Sequence, residues 1–344
     1  MSKKLNIIYI GNKLAVHGRT PTAIDNLIPL FREEGHTVHF ASSRKNKALR
    51  FINMLVRVWQ YRKVADVVLI DTYSTFAFYY AWLIAMWCNK LDVRYIPILH
   101  GGNLPERLKS SPKYCDKLFG ESFNNICVSS YLQEHMQQHG YKSTIIENTI
   151  LLENYPYKHR TVVHPQLLWV RAFHKTYNPL MAIRVVDTLR KDYPDVHLTM
   201  VGPELDGSME ECKKLCAELK LHEQIKFTGK LSKKEWIDLA GQHDIFINTT
   251  NYDNQPVSII EAMALGLPIV STNVGGIPQL IEHNINGLLS GFNDVTAMNK
   301  NIQLLLKDMD CADRLSKNGR TKAEEFGWKN IKRKWAMLFY SIHE

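Results

Sequence analysis

Two acidic residues, Asp253 and Glu261, bound a segment that contains no other charged side chain. Asp253 suits a turn, Pro256 suits the first turn of a helix, and Gly266 suits the helix end. Around Glu261 this short helix is apolar on nearly every side, so we expect a buried carboxylate that needs hydrogen-bond donors. The donors are either a backbone or lysine partner or the hydroxyls of a ligand such as a ribose, and the sequence leaves both open.

The start of the same helix is a candidate anion site. Backbone N–H groups near Val257 and Ser258 have no partner within the helix and can bind a diphosphate. A nucleoside diphosphate held there has its ribose toward Glu261 and its attached sugar toward Asp253. On one helix the two acids stand roughly 12 Å apart, more than the roughly 5 to 9.5 Å between the paired carboxyl groups of glycoside hydrolases. They therefore suit opposite ends of a long ligand.

His100 is a candidate of another kind, at the end of a predicted strand. It follows the β-rich run Val93–Leu99 and precedes Gly101 and Gly102. A histidine at the carboxyl end of a strand, followed by glycines, lets a ligand approach the backbone closely. The alternative is a histidine whose hydrogen bonds are satisfied within the loop.

These candidates fall on two halves that repeat one order of strands and helices. The predicted strands are Leu5–Ile10, Thr37–Ala41, Val67–Asp71, Val93–Leu99, Asn125–Ser129, Thr144–Glu147, Leu167–Val170, His197–Val201, Ile225–Thr228, Ile245–Asn248, Ile269–Ser271 and Gly287–Leu289. Strands separated by helices require parallel sheets with right-handed crossovers, so each half is predicted to be a doubly wound, Rossmann-like α/β domain. Ligands of this architecture bind at the carboxyl ends of the strands, which we expect to face a shared cleft.

A polar stretch rich in Tyr, Pro and His divides the halves. We predict domains at residues 1–153 and 166–326, a linker at 154–165, and a C-terminal helix at 327–344 that packs back on the first domain. The first helix of the chain is predicted to start at Thr20 and Pro21, with Gly18 just before it. Two domains are also what 344 residues favour, because one hydrophobic core rarely serves so long a chain.

The composition is that of a globular chain, with 45% apolar and 22% charged residues. The six cysteines form no C-x-x-C pair, which argues against a zinc site or a disulfide framework and favours a reducing, cytoplasmic location. The longest apolar stretch, residues 73–88, is shorter than the roughly 20 residues that cross a bilayer. It is predicted to be a buried or interfacial helix.

The excess positive charge lies entirely in the first half. Residues 1–164 carry 21 Lys and Arg against 12 Asp and Glu, whereas the remainder carries 22 of each. Residues 44–63 contain seven of these basic residues and no acid. On a helix, Lys47, Arg50 and Arg57 share one face, while Ala48, Ile52, Leu55 and Trp59 form an apolar stripe on another. Such a helix suits either an anionic membrane or acceptor, or an ordinary solvated face over a core stripe.

The run from Asp253 to Gly276 resembles the signature of one family, the retaining GT-B glycosyltransferases of family four, also called glycosyl transferases group 1. Its hallmark is a Glu, seven residues, a second Glu, a small-residue helix, a Gly-x-Pro strand entry and a Gly-Gly turn. Glu261, Gly266-Leu267-Pro268 and Gly275-Gly276 match it. Asp253 stands in place of the first Glu and is one methylene shorter. The resemblance covers nearly the whole chain.

The resemblance implies a role for each candidate. Arg171 and Lys175 match the basic pair that neutralises the donor diphosphate, although the interval between them is shorter than usual and an isolated pair would be surface charges. The implied catalytic residues are His100, Arg171, Lys175 and Asp253. The implied donor-binding residues are Gly18, Arg171, Lys175, Gly229, Val257, Ser258 and Glu261. In the family, the histidine contacts the transferred sugar and the glycine loops lie near the diphosphate and the base.

The implied reaction is transfer of a sugar from a UDP- or GDP-sugar to a glycan or lipid-linked acceptor, with retention of configuration and without a cofactor or essential metal. The first domain would bind the acceptor and the second the donor, at the inner face of a bacterial plasma membrane. Two other functions fit the residues: a nucleotide-sugar epimerase on the same fold, and a basic membrane- or nucleic-acid-binding protein. The chain lacks RNP-like and helix-turn-helix signals, so we expect no nucleic-acid partner.

Overall fold

The computed structural model describes residues 4–18 and 21–342, which form two compact units. The first unit runs to Asn148 and takes in the chain again from Ile331, and the second is Thr149–Asn330. Each unit contains its own parallel sheet with helices between successive strands.

The first unit holds, among its described residues, a six-stranded sheet of order β2-β1-β3-β4-β5-β6. Its strands are β1 Asn6–Ile10, β2 Thr37–Ala41, β3 Val67–Thr72, β4 Tyr95–Leu99, β5 Asn125–Cys127 and β6 Ser143–Ile145. The helices are α1 Ala23–Glu33, α2 Lys47–Tyr61, α3 Ala77–Lys90, α4 Leu104–Ser110, α5 Pro112–Cys115 and α6 Ser130–Gln138. Every position of β3 is buried, as expected for a parallel strand covered on both faces.

The second unit repeats this plan with a sheet of order β12-β11-β10-β7-β8-β9. Its strands are β7 Gln166–Val170, β8 His197–Val201, β9 Ile225–Gly229, β10 Ile245–Asn248, β11 Ile269–Thr272 and β12 Leu288–Ser290. The helices are α7 Pro179–Leu189, α8 Ser208–Glu218, α9 Lys233–Ala240, α10 Val257–Ala264, α11 Ile277–Leu280, α12 Val295–Lys307 and α13 Met309–Glu324. Helix α14, Trp328–Ser341, begins in the second unit and belongs to the first unit from Ile331 onward. The predicted α/β class with two doubly wound parallel sheets is confirmed, and each predicted strand is present with ends shifted by at most two residues.

The first helix starts later than the sequence prediction placed it. Helix α1 begins at Ala23, and its N-cap is Thr22, whose backbone N–H donates to the Asp25 carboxylate at 3.0 Å. This reciprocal capping box fixes the start more strongly than Pro21 does. Pro21 therefore precedes the helix, and the predicted Thr20 lies outside the described residues.

The faces of α2 differ from the predicted ones. Arg50, expected on the basic outer face, is 7% exposed and packs inward with Met54 and Val58, and its guanidinium donates to the Arg44 carbonyl at 3.0 Å. Ile52 and Trp59, in the apolar stripe that the sequence left open to a membrane or to the core, are exposed. The prediction for Arg50 was wrong because the apolar residues of this helix form two stripes, and only packing selects the buried one.

Apolar side chains of α3 do pack in the core, as the stretch at 73–88 predicted. Phe78, Ala81 and Cys88 are buried, while Phe76 and Met86 remain exposed. Among the described residues, no helix combines the length and apolar character that crossing a bilayer requires.

The C-terminal part of α14 packs on the first unit through aromatic contacts. The Trp335 ring lies 5.1 Å from that of Phe31, and the Phe339 ring lies 5.4 Å from it. Lys332 and Lys334 form ion pairs with Glu34 and Glu147 at the periphery. The aromatic contacts dominate this attachment, because exposed ion pairs contribute only about 0 to 1 kcal/mol each.

We expect Trp335→Ala to lower the free energy of unfolding of the first unit by about 3 to 5 kcal/mol, since it leaves a cavity beside Phe31. Hydrogen exchange of amides in β1 and β2 under increasing urea measures this loss. The control is Tyr340→Ala on the exposed face of the same helix, which should change stability by less than about 0.5 kcal/mol. Equal effects of the two changes would contradict the assignment.

Candidate active site

The loop after β10 is held against the Gly275–Gly276 turn by direct backbone contact. The Gly276 N–H donates to the Asp253 carbonyl at 3.0 Å. A Cβ atom added at Gly275 or Gly276 would lie 2.0 Å from the Asp253 carbonyl oxygen or 2.1 Å from that of Asn254. Only glycine therefore permits this approach, which sets the position of Asp253.

Asp253 and Arg171, both predicted as catalytic, form an ion pair in the second unit. The Arg171 guanidinium donates to Oδ2 of Asp253, and the Asn254 N–H donates to Oδ1 at 2.9 Å. Burial raises the pKa of Asp253, and the Arg171 charge and the Asn254 N–H partly oppose that shift. The structure thus brings a carboxylate and a guanidinium from distant parts of the sequence into one site.

Arg171 is fixed at its backbone and at its side chain. Its backbone N–H donates to the Val201 carbonyl at 3.0 Å, and its guanidinium carbon lies 4.7 Å from the centroid of the Tyr177 ring. A Cβ atom at Gly202 would lie 1.7 Å from the Arg171 carbonyl oxygen, so β8 also needs a glycine at its end. Nε of Arg171 is buried and has no hydrogen-bond partner among the described residues. A ligand oxygen is the kind of group that would satisfy it.

Glu261 is a buried carboxylate, as predicted, with 5% of the residue exposed. Two donors converge on Oε1: the Tyr155 hydroxyl at 2.6 Å and the Lys233 ammonium. Of the two alternatives left open by the sequence, a lysine partner is present. Burial and the neighbouring Glu261 charge raise the pKa of Tyr155 well above its usual value, so its hydroxyl remains a donor. Contact with a ribose stays a prediction.

The N-terminus of α10 has the uncapped start on which the predicted anion site depends. Pro256 is the N-cap, and its side chain accepts no hydrogen bond. The first N–H groups of the helix, near Val257 and Ser258, therefore receive no side-chain cap. Ser258 Oγ is buried without a hydrogen-bond partner among the described residues. Free N–H groups and the helix dipole both favour an anion at this point.

The remaining candidates of the second unit and Gly18 lie in loops at strand or helix ends. Lys175 is exposed at the start of a short 3₁₀ turn, and its N–H donates to the Asp206 carboxylate at 3.0 Å. Gly229 ends β9 with φ +68°, and Gly18 follows a 3₁₀ turn with φ +75°. An added Cβ would meet no atom within 4 Å at either glycine. Their roles toward a donor stay predictions.

His100 in the first unit has a carboxylate partner that the sequence did not reveal. Its Nε2 lies 2.9 Å from Oδ1 of Asp71, and the Tyr9 hydroxyl donates to the same oxygen at 2.9 Å. Asp71 was missed because it ends an apolar strand and was treated as part of it. A single acid in a run of buried β-branched residues is a signal that could have found it, since buried carboxylates are rare without a partner.

Tyr155 was also missed, because it stands in the stretch predicted to be a linker and its partner is 106 positions away. Its type offered little signal, since tyrosines are common in exposed linkers. Metal ligands give no further candidates, because the described residues contain no group of three or more His, Cys, Asp or Glu side chains placed to hold a metal ion.

Residues 160–322 match the family model of glycosyl transferases group 1, which confirms the family resemblance of the run around Glu261. An uncharacterized glycosyltransferase of Haemophilus influenzae is 31% identical over 155 residues, 44% of this chain and 42% of its own length. The amylovoran biosynthesis glycosyltransferase AmsK of Erwinia amylovora is 28% identical over 260 residues, 68% of this chain and 60% of its own length. The chain thus spans about half the length of these curated relatives.

Solved structures share the fold over almost the whole chain. The crystal structure of HepE from Anabaena, in complex with UDP and glucose, superimposes with a TM-score of 0.78 at 17% identity and covers 98% of this chain and 100% of its own. A sucrose-phosphate synthase from Thermosynechococcus elongatus gives a TM-score of 0.78 at 13% identity and covers 99% of each chain. The fold is therefore that of the GT-B glycosyltransferases.

Gly276→Ala should displace the Asp253 loop, because its Cβ would lie 2.1 Å from the Asn254 carbonyl oxygen. We expect the free energy of unfolding of the second unit to fall by about 1 to 3 kcal/mol, the usual scale for overpacking. Urea denaturation with hydrogen exchange at α10 gives the measurement. Gly291→Ala is the matched control, since its nearest atom would lie 3.5 Å away, and a loss as large in this variant would refute the steric explanation.

Proposed function

We propose, from the match of residues 160–322 to glycosyl transferases group 1 and the GT-B fold of the chain, that this protein is a retaining glycosyltransferase. It transfers a sugar from a nucleoside-diphosphate sugar to a glycan or lipid-linked acceptor. The observation that carries the proposal is the ion pair between Arg171 and Asp253. Asp253 lies in the loop that leads to the uncapped N-terminus of α10. Surface-polysaccharide assembly is the setting that we propose, and one relative is an amylovoran biosynthesis glycosyltransferase.

The donor lies with its diphosphate at the α10 N-terminus. Arg171 and Lys175 supply positive charge, and the Val257 and Ser258 N–H groups supply donors. Glu261 accepts from the ribose hydroxyls, and Gly229 allows the base to approach β9. A UDP-sugar is the first choice, because the structural neighbour HepE is described in complex with UDP and glucose. Gly18 contributes backbone close to the diphosphate.

The reaction replaces one bond at the anomeric carbon. An acceptor hydroxyl attacks that carbon from the face that the diphosphate leaves, the carbon–oxygen bond to the diphosphate breaks, and the hydroxyl proton passes to a departing diphosphate oxygen. Negative charge grows on the diphosphate as it leaves, and the guanidinium of Arg171 and the helix dipole stabilise it. These groups serve without a divalent metal or another cofactor.

Asp253 has two roles in this scheme. It holds the Arg171 guanidinium through Oδ2 while the Asn254 N–H orients the carboxylate through Oδ1, and it accepts from a hydroxyl of the donor sugar. Because aspartate is one methylene shorter than the glutamate of the family signature, the backbone must come closer to the sugar. The glycine turn at 275–276, which draws the Asp253 carbonyl inward, provides that approach. His100 contacts the transferred sugar, as the family resemblance implies.

The first unit binds the acceptor and rests on an anionic membrane surface through residues 44–63. Leu49, Ile52, Val56 and Trp59 are exposed and follow one another at helical spacing along α2. The Arg62 guanidinium lies 4.6 Å from the Trp59 ring, and Lys45 and Lys47 are exposed at the other end of the helix. Apolar side chains flanked by cations are the pattern of a helix that lies in the interface plane. This pattern supports a location at the cytoplasmic face of the plasma membrane.

Arg171→Ala should lower turnover by at least about 100-fold, the usual scale for losing one charge stabiliser. The rate is measured as release of UDP from UDP-sugars, with GDP- and ADP-sugars screened in parallel. Each measurement is made with and without acceptor, and with and without a chelator. Arg184→Ala on α7 is the control and should leave turnover unchanged. Release that needs no acceptor would favour an epimerase or hydrolase over a transferase, and normal turnover in Arg171→Ala would exclude the assigned role.

Glu261→Gln should weaken UDP binding by about tenfold or more, because a charge-assisted hydrogen bond to a ribose hydroxyl contributes about 1.5 to 3 kcal/mol. Calorimetric titration with UDP gives the affinity. The control is Glu282→Gln, a change at an exposed position. If the Glu261→Gln protein folds normally and its affinity for UDP is unchanged, the carboxylate serves only to accept hydrogen bonds from Tyr155 and Lys233.

Ile52→Glu should reduce binding to phosphatidylglycerol-containing vesicles by about tenfold or more, since one fully buried Ile side chain contributes about 1.5 to 3 kcal/mol. Co-sedimentation with vesicles, with and without phosphatidylglycerol, measures the partition. Val162→Glu, at an exposed position of the second unit, is the control. A partition unaffected by Ile52→Glu would remove α2 from the membrane contact.

A further inference from the structure

Three side chains meet at the carboxyl ends of β1, β3 and β4 in the first unit. Oδ1 of Asp71 accepts from the Tyr9 hydroxyl at 2.9 Å and lies 2.9 Å from Nε2 of His100. The side chain of Asp71 is 1% exposed and that of His100 is 10% exposed. The register of the sheet brings the ends of β3 and β4 side by side, with Thr72 opposite Leu99, the residue before His100.

We propose that Asp71 is a positioning residue that fixes the tautomer and ring orientation of His100. This inference rests on the proposed function, in which His100 contacts the transferred sugar. An ionised carboxylate only accepts hydrogen bonds, so Nε2 must carry the imidazole proton and Nδ1 becomes the acceptor of the neutral ring. The ring can then accept a hydrogen bond from a sugar hydroxyl through Nδ1.

The backbone around the pair is arranged to keep it in place. The His100 N–H donates to the Thr72 carbonyl at 2.9 Å, which fixes the start of the His100 loop against β3. A Cβ atom at Gly101 would lie 2.7 Å from the Ser74 N–H nitrogen, and one at Gly11 would lie 2.4 Å from Oδ2 of Asp71. Gly11 therefore makes room for the Asp71 carboxylate, and Gly101 lets the loop after His100 approach Ser74. The Tyr73 ring lies beside the imidazole at a centroid distance of 5.2 Å.

A purely structural role accounts poorly for a carboxylate at position 71. Burial of a charge is costly unless hydrogen bonds and opposite charges compensate for it. The hydrogen-bond partners found for Asp71 are Tyr9 and His100, and Oδ2 is buried with no hydrogen-bond partner among the described residues. An asparagine oxygen would serve the Tyr9 hydroxyl equally well. What a carboxylate adds is a strong acceptor for the imidazole N–H.

The test compares the three single variants Asp71→Ala, Asp71→Asn and His100→Ala. It also includes the double variant that combines Asp71→Ala with His100→Ala. Initial rates with a UDP-sugar and acceptor give kcat and KM, calorimetry gives the Kd of UDP, and the ¹⁵N spectrum of labelled imidazoles reports the tautomer of His100. The His100 signal is assigned by its loss in His100→Ala. Asp66→Ala is the control, since Asp66 stands at the opposite end of β3 and accepts from the Asn6 N–H at 2.7 Å.

We expect Asp71→Ala to lower kcat by about 10- to 100-fold, the scale on which loss of a carboxylate that orients a metal-binding histidine acts, with the Kd of UDP unchanged. The His100 ¹⁵N signals should shift toward a mixture of tautomers. Asp71→Asn should retain more activity than Asp71→Ala, because its side-chain oxygen can still accept from Nε2. In the His100→Ala background, Asp71→Ala should have almost no further effect on kcat. Asp66→Ala should leave kcat and the tautomer as they are.

Equal losses from Asp71→Ala in the presence and absence of His100 would overturn the proposal, as would an unchanged His100 tautomer in Asp71→Ala. If His100→Ala itself leaves kcat unchanged, the part that fails is the contact of His100 with the sugar in the proposed function. The imidazole spectrum then still decides whether Asp71 orients the ring. Should Asp71→Ala fail to fold, Asp71→Leu, which keeps the side-chain volume but has no acceptor for Nε2, and its spectrum supply the same decision.

Discussion

Close contact between backbone segments is the constraint on which the site of the second unit depends. Arg171 and Asp253 can pair only because the chain approaches them without a side chain in the way, at Gly202 and at the Gly275–Gly276 turn. These contacts set the positions of the two charged residues, because the carbonyl oxygen of each residue lies against a glycine. A site of this kind is rigid before a ligand arrives, which is what electrostatic stabilisation of a developing charge requires.

Much of the fold and part of the site could be predicted from local patterns. Apolar runs bounded by turn residues predicted each strand, because a parallel strand buried on both faces leaves a continuous apolar signal. The apolar surroundings of Glu261 predicted a buried carboxylate for the same reason. These features are legible because a few consecutive residues determine them.

Partnerships across the chain could not be read in this way. Glu261 needs a donor, but nothing local identifies Tyr155 and Lys233 as the donors. Arg50 was assigned to the outer face of α2 because the helix carries apolar residues on two sides, and the sheet it covers decides which side is buried. Asp71 was overlooked because its partner His100 lies on another strand. Long-range packing selects among local possibilities, and only the assembled fold reveals the choice.

The path of the chain has a consequence for biosynthesis. Because the first unit ends at Asn148 and is completed only by residues from Ile331 onward, the second unit interrupts it. A ribosome releases the aromatic side chains of Trp335 and Phe339 only after the second unit, so the pocket around Phe31 stays uncovered while about 180 further residues emerge. The second unit, continuous in sequence, can fold during this interval, and the first unit must wait until the residues after Ile331 have emerged.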